Sequence, residues 1–152
     1  MTLPDVEHEA ALQMAIERFW ENVPPTWHRV RRQVNLVTVE QFGITVEQFH
    51  ILRHMRKGAS SVSDLADVKQ ISRSAISQAL DALVEKGLIT RQQDCHDRRY
   101  VKLALTPVGQ DLIQAIFKEN RAWMSVRLAG LSTEELAMIA RSLELLKNAL
   151  DG

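Results

Sequence analysis

Apolar residues recur along this chain in two rhythms, one helical and one of strand. From Glu7 to Glu21 they fall at Leu12, Ile16, Phe19 and Trp20, and that spacing predicts a helix. Pro24-Pro25 is expected to end it or bend it sharply, because proline lacks a backbone donor and crowds the preceding turn. A second helix is expected from near Thr26, with Trp27, Val30, Val34 and Val37 in helical register, until Gly43 breaks it. Thr45-Val46-Glu47-Gln48 has the form of a capping box, in which the threonine hydroxyl accepts from the Gln48 amide and the glutamine side chain reaches back. Phe49, Leu52 and Met55 or Arg56 follow, and Gly58 stops this helix. Ser61-Val62-Ser63-Asp64 caps a short helix with Leu65, Ala66 and Val68 inward. A turn at Lys69 to Ile71 then leads to a longer helix, capped by Ser72, striped by Ile76, Leu80, Leu83 and Val84, and stopped at Gly87.

After Gly87 the period becomes two. Leu88 to Gln92 and the run Val101, Leu103, Leu105 predict two strands, joined by the polar loop Gln93 to Arg99. Thr106-Pro107 starts a long helix carrying Leu112, Ile113, Ile116, Phe117, Trp123 and Leu128. Ser132-Thr133-Glu134-Glu135 caps a last helix with a seam of Leu136, Ile139, Leu143, Leu146 and Leu150. The expected fold is mainly α with a small β-hairpin wing: a winged helix-turn-helix between N- and C-terminal helices. The expected organisation is a single domain over 1–152, with the winged lobe at 45–106 and a helical frame at 5–40 and 107–150.

Composition narrows the function classes. At 152 residues and 45% apolar the chain is of a size and kind to bury a core. No apolar run approaches the ~20 residues that span a bilayer, and the acidic N-terminus does not read as a secretory signal, so a cytoplasmic protein without a membrane partner is expected. The single cysteine, Cys95, rules out an internal disulfide framework, and no glycine-rich phosphate loop, nucleophile elbow or HExxH motif is present. Neither an enzyme, a cofactor nor a metal site is expected. His50 and His54 have ligand-like spacing but lack a completing cluster. Net charge is zero, yet Arg53 to Lys102 holds ten basic against six acidic residues, a basic centre between acidic flanks.

The second helix of a helix-turn-helix lies in the major groove. Here its polar side carries Ser72, Arg73, Ser74, Ser77 and Gln78. Arginine can fork onto guanine, glutamine onto adenine, and serines can reach phosphates or bases. The hairpin loop carries Arg98 and Arg99, and an arginine at such a tip suits the negative potential of the minor groove. Each feature also reads as a solvated surface, and a winged helix that binds protein instead of DNA is the alternative. Salt-dependent affinity for duplex DNA separates the two.

The chain resembles the MarR (multiple antibiotic resistance regulator) family. The resemblance rests on Thr45-x-x-Gln48-Phe49-x-x-Leu52, Val62-Ser63-Asp64-Leu65-Ala66, Ser72-x-Ser74-x-Ile76-Ser77 and Leu83-x-x-Lys86-Gly87-Leu88-Ile89-x-Arg91. Asp97-x-Arg99, Val101, Leu103, Leu105-Thr106 and Gly109 continue the pattern. It implies a ligand-responsive repressor, a homodimer on a near-palindromic operator in double-stranded DNA, with the terminal helices as dimerisation helices. It also implies that Arg99 is the wing arginine and that Asp97 holds the wing in shape. Gln78 departs from the basic residue often found in the family at that position. The resemblance further implies a small phenolic or aromatic-acid effector, for which Trp20, Trp27, His28 and Arg31 near the proline pair are the candidate cleft.

Overall fold

The structure is a computed structural model, and it describes residues 3–69, 73–93 and 101–151. The elements run α1 (Leu3–Asn35), a π-helical turn (Leu36–Gln41), α2 (Val46–Arg56), α3 (Val62–Lys69) and α4 (Arg73–Glu85). The hairpin β1 (Ile89–Gln93) and β2 (Val101–Leu105) follows, then α5 (Pro107–Leu128) and α6 (Thr133–Leu150). Contacts divide the chain into a compact unit up to Ile116 and a second from Phe117 onward. No helix among the described residues is long and apolar enough to cross a membrane.

The first unit has a core that its own elements complete. Phe49, Ile51, Leu52 and Met55 of α2, Leu65 of α3, and Ile76, Leu80 and Leu83 of α4 are buried. Ile89 of β1, Leu103 of β2, and Ile113 and Ile116 of α5 join them. Each fully buried side chain of this size contributes about 1.5–3 kcal/mol relative to exposure. Helix starts follow the expected chemistry. The Thr45 Oγ accepts from the Gln48 amide at 3.1 Å while the Gln48 Oε1 accepts from the Thr45 amide at 3.1 Å. Ser132 and Glu135 repeat the arrangement at α6.

The hairpin is antiparallel, with Ile89 opposite Leu105 and Arg91 opposite Leu103. Hydrogen bonds set the hairpin against the start of α3, and α5 against the end of α4. The Leu103 amide donates to the Ser60 carbonyl at 2.8 Å. The Thr106 hydroxyl donates to the Gly87 carbonyl at 2.7 Å and accepts from the Gly109 amide at 3.0 Å, so one side chain starts α5 and holds it to the end of α4. At Gly109 a β-carbon would overlap the Leu88 carbonyl, so glycine alone permits that packing. Gly87, at φ +68°, closes α4 in a Schellman turn: its amide donates to Val84 and that of Leu88 donates back to Leu83.

Three expectations are corrected. Pro24-Pro25 neither ends nor divides the N-terminal segment, which is one helix of 33 residues with both prolines inside it. The bonds the prolines forfeit are those to the carbonyls of Trp20 and Glu21, both exposed residues where water can take the acceptors, and proline's own φ is already helical. The apolar positions then merge into one stripe. Leu12, Ile16, Phe19, Val23, Trp27, Val30 and Val34 step along the helix by three and four residues. Val84 belongs to the expected stripe of α4 but is exposed, since it sits one residue past Leu83 at the edge of the buried arc. Leu88 lies in the closing turn of α4 and not in β1, because its amide is used by Leu83. Ala66, Val68 and the Ser72 cap lie outside the residues whose side chains the structure describes.

Candidate nucleic-acid interface

α4 separates its residues by role. Ile76, Leu80 and Leu83 are fully buried against the lobe. Ser74, Ala75 and Gln78 are exposed, and Ser77 is half-buried. Ser74 and Gln78 are one turn apart, so they share an outward face of hydroxyl and carboxamide that suits base edges and phosphates. Ala75 adds little bulk to a close approach. Arg73 is the first helical residue of α4. Ser72 and the wing-tip residues Asp97, Arg98 and Arg99, with Cys95, lie outside the described residues.

The structure adds a contact that residue patterns alone did not single out. Ile89 and Arg91 share one face of β1. The Arg91 guanidinium pairs with the Asp81 carboxylate at 2.6 Å and donates to the Ser77 carbonyl at 3.4 Å. One strand of the wing is thereby fastened to α4, and the acid on the outer side of α4 is neutralised. Both groups remain more than a third exposed, so the pair contributes roughly 0.2–1 kcal/mol, and its main effect is to position α4 and β1. The only sequence signal for it was one residue of each charge on either side of Gly87.

Two further ties fix α3 and α4. The Lys86 ammonium donates to the Gly43 carbonyl at 2.6 Å. At the start of α3 the Asp64 carboxylate accepts from the amides of Ser60 and Ser61 at 3.0 Å each, while the Ser61 hydroxyl oxygen accepts from the Asp64 amide. The Ser60 amide first, then the Ser61 side chain, hold the Asp64 carboxyl below its ordinary value.

The proposed ligand residues divide into two sets. His28 and Arg31 line a recess of about 460 Å³ together with Arg32, Asn35 and Val46. Trp20 and Trp27 are 68% and 60% exposed on α1, and Trp20 packs edge-on against Phe19 with ring centroids 5.3 Å apart.

Comparison with known proteins agrees with this geometry. The MarR family model matches residues 42–99. The HTH-type transcriptional repressor MdtR of Bacillus subtilis is 27% identical over 130 residues, covering 85% of this chain and 79% of that protein. A MarR family protein from Bacillus stearothermophilus superposes with a TM-score of 0.83 at 18% identity, over 92% of this chain and 98% of that one. A mutant of Staphylococcus aureus MepR, solved bound to an oligodeoxyribonucleotide, has a TM-score of 0.65 at 24% identity, over 87% of this chain and 97% of that one. Both structures share this chain's fold.

Proposed function

We propose that this chain, a member of the MarR family, regulates transcription by binding duplex DNA as a homodimer and carries out no catalysis. The observation that carries the reading is the division of α4 into a fully buried apolar face and an outward face of Ser74, Ser77 and Gln78. That face, with Ser72 and Arg73 at its start, reads the major groove. Arg98 and Arg99 serve the minor groove, and Asp97 shapes the hairpin that presents them. Residues 45–106 act as the DNA-binding lobe, and 5–40 with 107–150 as the dimerisation frame.

The apolar stripe left exposed at Leu12, Ile16, Trp20 and Trp27 supports the dimer, as does the exposed seam of α6. Two-fold symmetry sets the two recognition helices about 34 Å apart, one turn of DNA, on a near-palindromic site. A dimer seated on a promoter in the cytoplasm represses by occupying the polymerase's site. An effector held at the His28–Arg31 end of α1 acts by favouring a helix spacing that misfits the operator.

The test is fluorescence anisotropy on the duplex directly upstream of the protein's own gene, at two salt concentrations, with wild type, Gln78→Ala and Arg99→Ala. Tight binding that salt weakens, and that both variants weaken, is expected. If genomic selection also finds no bound duplex, the DNA reading fails and the winged helix is a protein-binding module.

A further inference from the structure

A cationic recess lies on α1, apart from the outer face of α4. His28, Arg31, Arg32 and Asn35 stand at i, i+3, i+4 and i+7, a spacing that gathers four side chains on one side of a helix. Val46, the first helical residue of α2, lines the same open recess. Neither Arg31 nor Arg32 has an ion-pair partner among the described residues, whereas Arg18 and Arg91 each hold a carboxylate. The wall at Val46 is the N-terminus of α2. There the Thr45 hydroxyl takes the Gln48 amide and the Thr45 carbonyl takes that of Phe49, so the Val46 and Glu47 amides come before the first intrahelical bond. Such a helix end carries partial positive charge and favours an anion. Glu47, the acid of that turn, is exposed and is not among the lining residues.

The lining chemistry selects the ligand. It consists of two guanidinium groups, an imidazole, a carboxamide and one aliphatic side chain, with no Trp, Tyr or Phe among the described residues that form it. A flat aromatic acid finds no indole or phenyl face there. A compact anion with several oxygens matches the forked donors of paired arginines. We propose that this recess binds an oxyanion of the phosphate class, carried either by a small molecule or by the backbone of bound duplex DNA. Held between α1 and α2, the anion joins the long N-terminal helix to the first helix of the lobe. That regulatory consequence rests on the DNA-binding reading, and the anion site itself does not.

The experiment uses the full chain as wild type, Arg31→Ala, Arg32→Ala and Arg29→Ala, the last an exposed arginine of α1 outside the recess. Each protein is titrated with inorganic phosphate at constant ionic strength, following melting temperature and heat of binding. Each is then titrated into duplex DNA in phosphate-free buffer at several salt concentrations. For a small-molecule source, phosphate raises the melting temperature saturably where chloride does not. Either recess variant weakens that binding by about tenfold or more, and Arg29→Ala leaves it unchanged. For a backbone source, the salt slope of duplex binding falls by about one for each recess arginine removed and holds for Arg29→Ala. If Arg31→Ala and Arg32→Ala match Arg29→Ala in both titrations, the proposal is overturned. A wild type that binds phosphate but no duplex overturns the regulator reading and leaves the anion site standing.

Discussion

α4 and α6 are both amphipathic helices with an apolar stripe, yet the fold uses the two stripes in opposite ways. In α4, Ile76, Leu80 and Leu83 are fully buried. In α6 no residue is buried, and Leu136, Ile139, Leu143 and Leu150 remain 38% to 70% exposed. α1 behaves like α6 over most of its length, with Leu12, Ile16, Trp20, Val23 and Trp27 exposed, and burial begins only at Val37, in the π-helical turn that follows it. The hydrophobic effect is proportional to area removed from water, so a stripe left in water contributes nothing to the fold of one chain. The winged lobe is therefore stabilised from within, and the terminal helices carry apolar surface that the single chain leaves in water.

The largest expected effect breaks this contrast at α6. Leu143→Asp should leave the melting of the lobe nearly unchanged while weakening self-association. Because a two-fold interface contains the residue twice, the loss is about 4 kcal/mol, roughly a thousandfold, read by sedimentation equilibrium. A variant that stays dimeric would place the interface elsewhere. Gly109→Ala tests the other side: the added carbon overlaps the Leu88 carbonyl, and we expect a loss of about 3 kcal/mol or more in denaturant unfolding. Wild-type stability in that variant would mean that the α4–α5 junction yields to the added carbon.

Smaller effects sharpen the comparison within the lobe. Gln78→Ala should leave stability within about 0.5 kcal/mol of wild type. It should cost about 1–3 kcal/mol of discrimination at one base position, measured on a panel of operator variants. Arg91→Ala frees β1 from Asp81 and Ser77 and leaves an unpaired acid on the outer side of α4. Its stability should fall by about 0.2–1 kcal/mol, and its affinity for duplex DNA should fall further than that. Arg91→Lys should restore the charge but not the forked contact. Equal loss of stability and affinity would reduce Arg91 to a stabilising residue only.

The smallest effect is one of pH. The Asp64 carboxyl is held below its unfolded value, so its contribution is complete above the unfolded value and is lost as pH falls through the folded one. Asp64→Asn should flatten the acid limb of the stability curve slightly and leave the neutral region nearly level with wild type. An unchanged acid limb would show that the two serine amides do not favour the charged form.

Local chemistry made much of this protein legible from residues alone. Capping at Thr45–Gln48 and Ser132–Glu135 and the stops at Gly58 and Gly87 depend on neighbours within a few positions, and so does the Thr106-Pro107 start. The pattern of bonds that each requires is written in consecutive side chains. The period change after Gly87 gave the hairpin, and the burial of Ile76, Leu80 and Leu83 gave the outer face of α4 by difference. Besides Val84 and Leu88, sequence reading misjudged the proline pair, because whether a helix survives proline depends on what receives the freed carbonyls. Exposure at Trp20 and Glu21, a tertiary property, decides that.

The Arg91–Asp81 pair and the meeting of α1 with the N-terminus of α2 were likewise settled by the fold. Arg91 lies ten positions after Asp81, and the face of β1 that carries the guanidinium is determined only by strand register. Arg31 and Arg32 become a recess only once a helix end lies beside them. The sequence by itself determined which elements form and which side of each is apolar, since backbone capping and periodicity are local. Only the tertiary structure decided which apolar sides are used up within the chain and which charges meet, because burial and pairing depend on what lies across the gap.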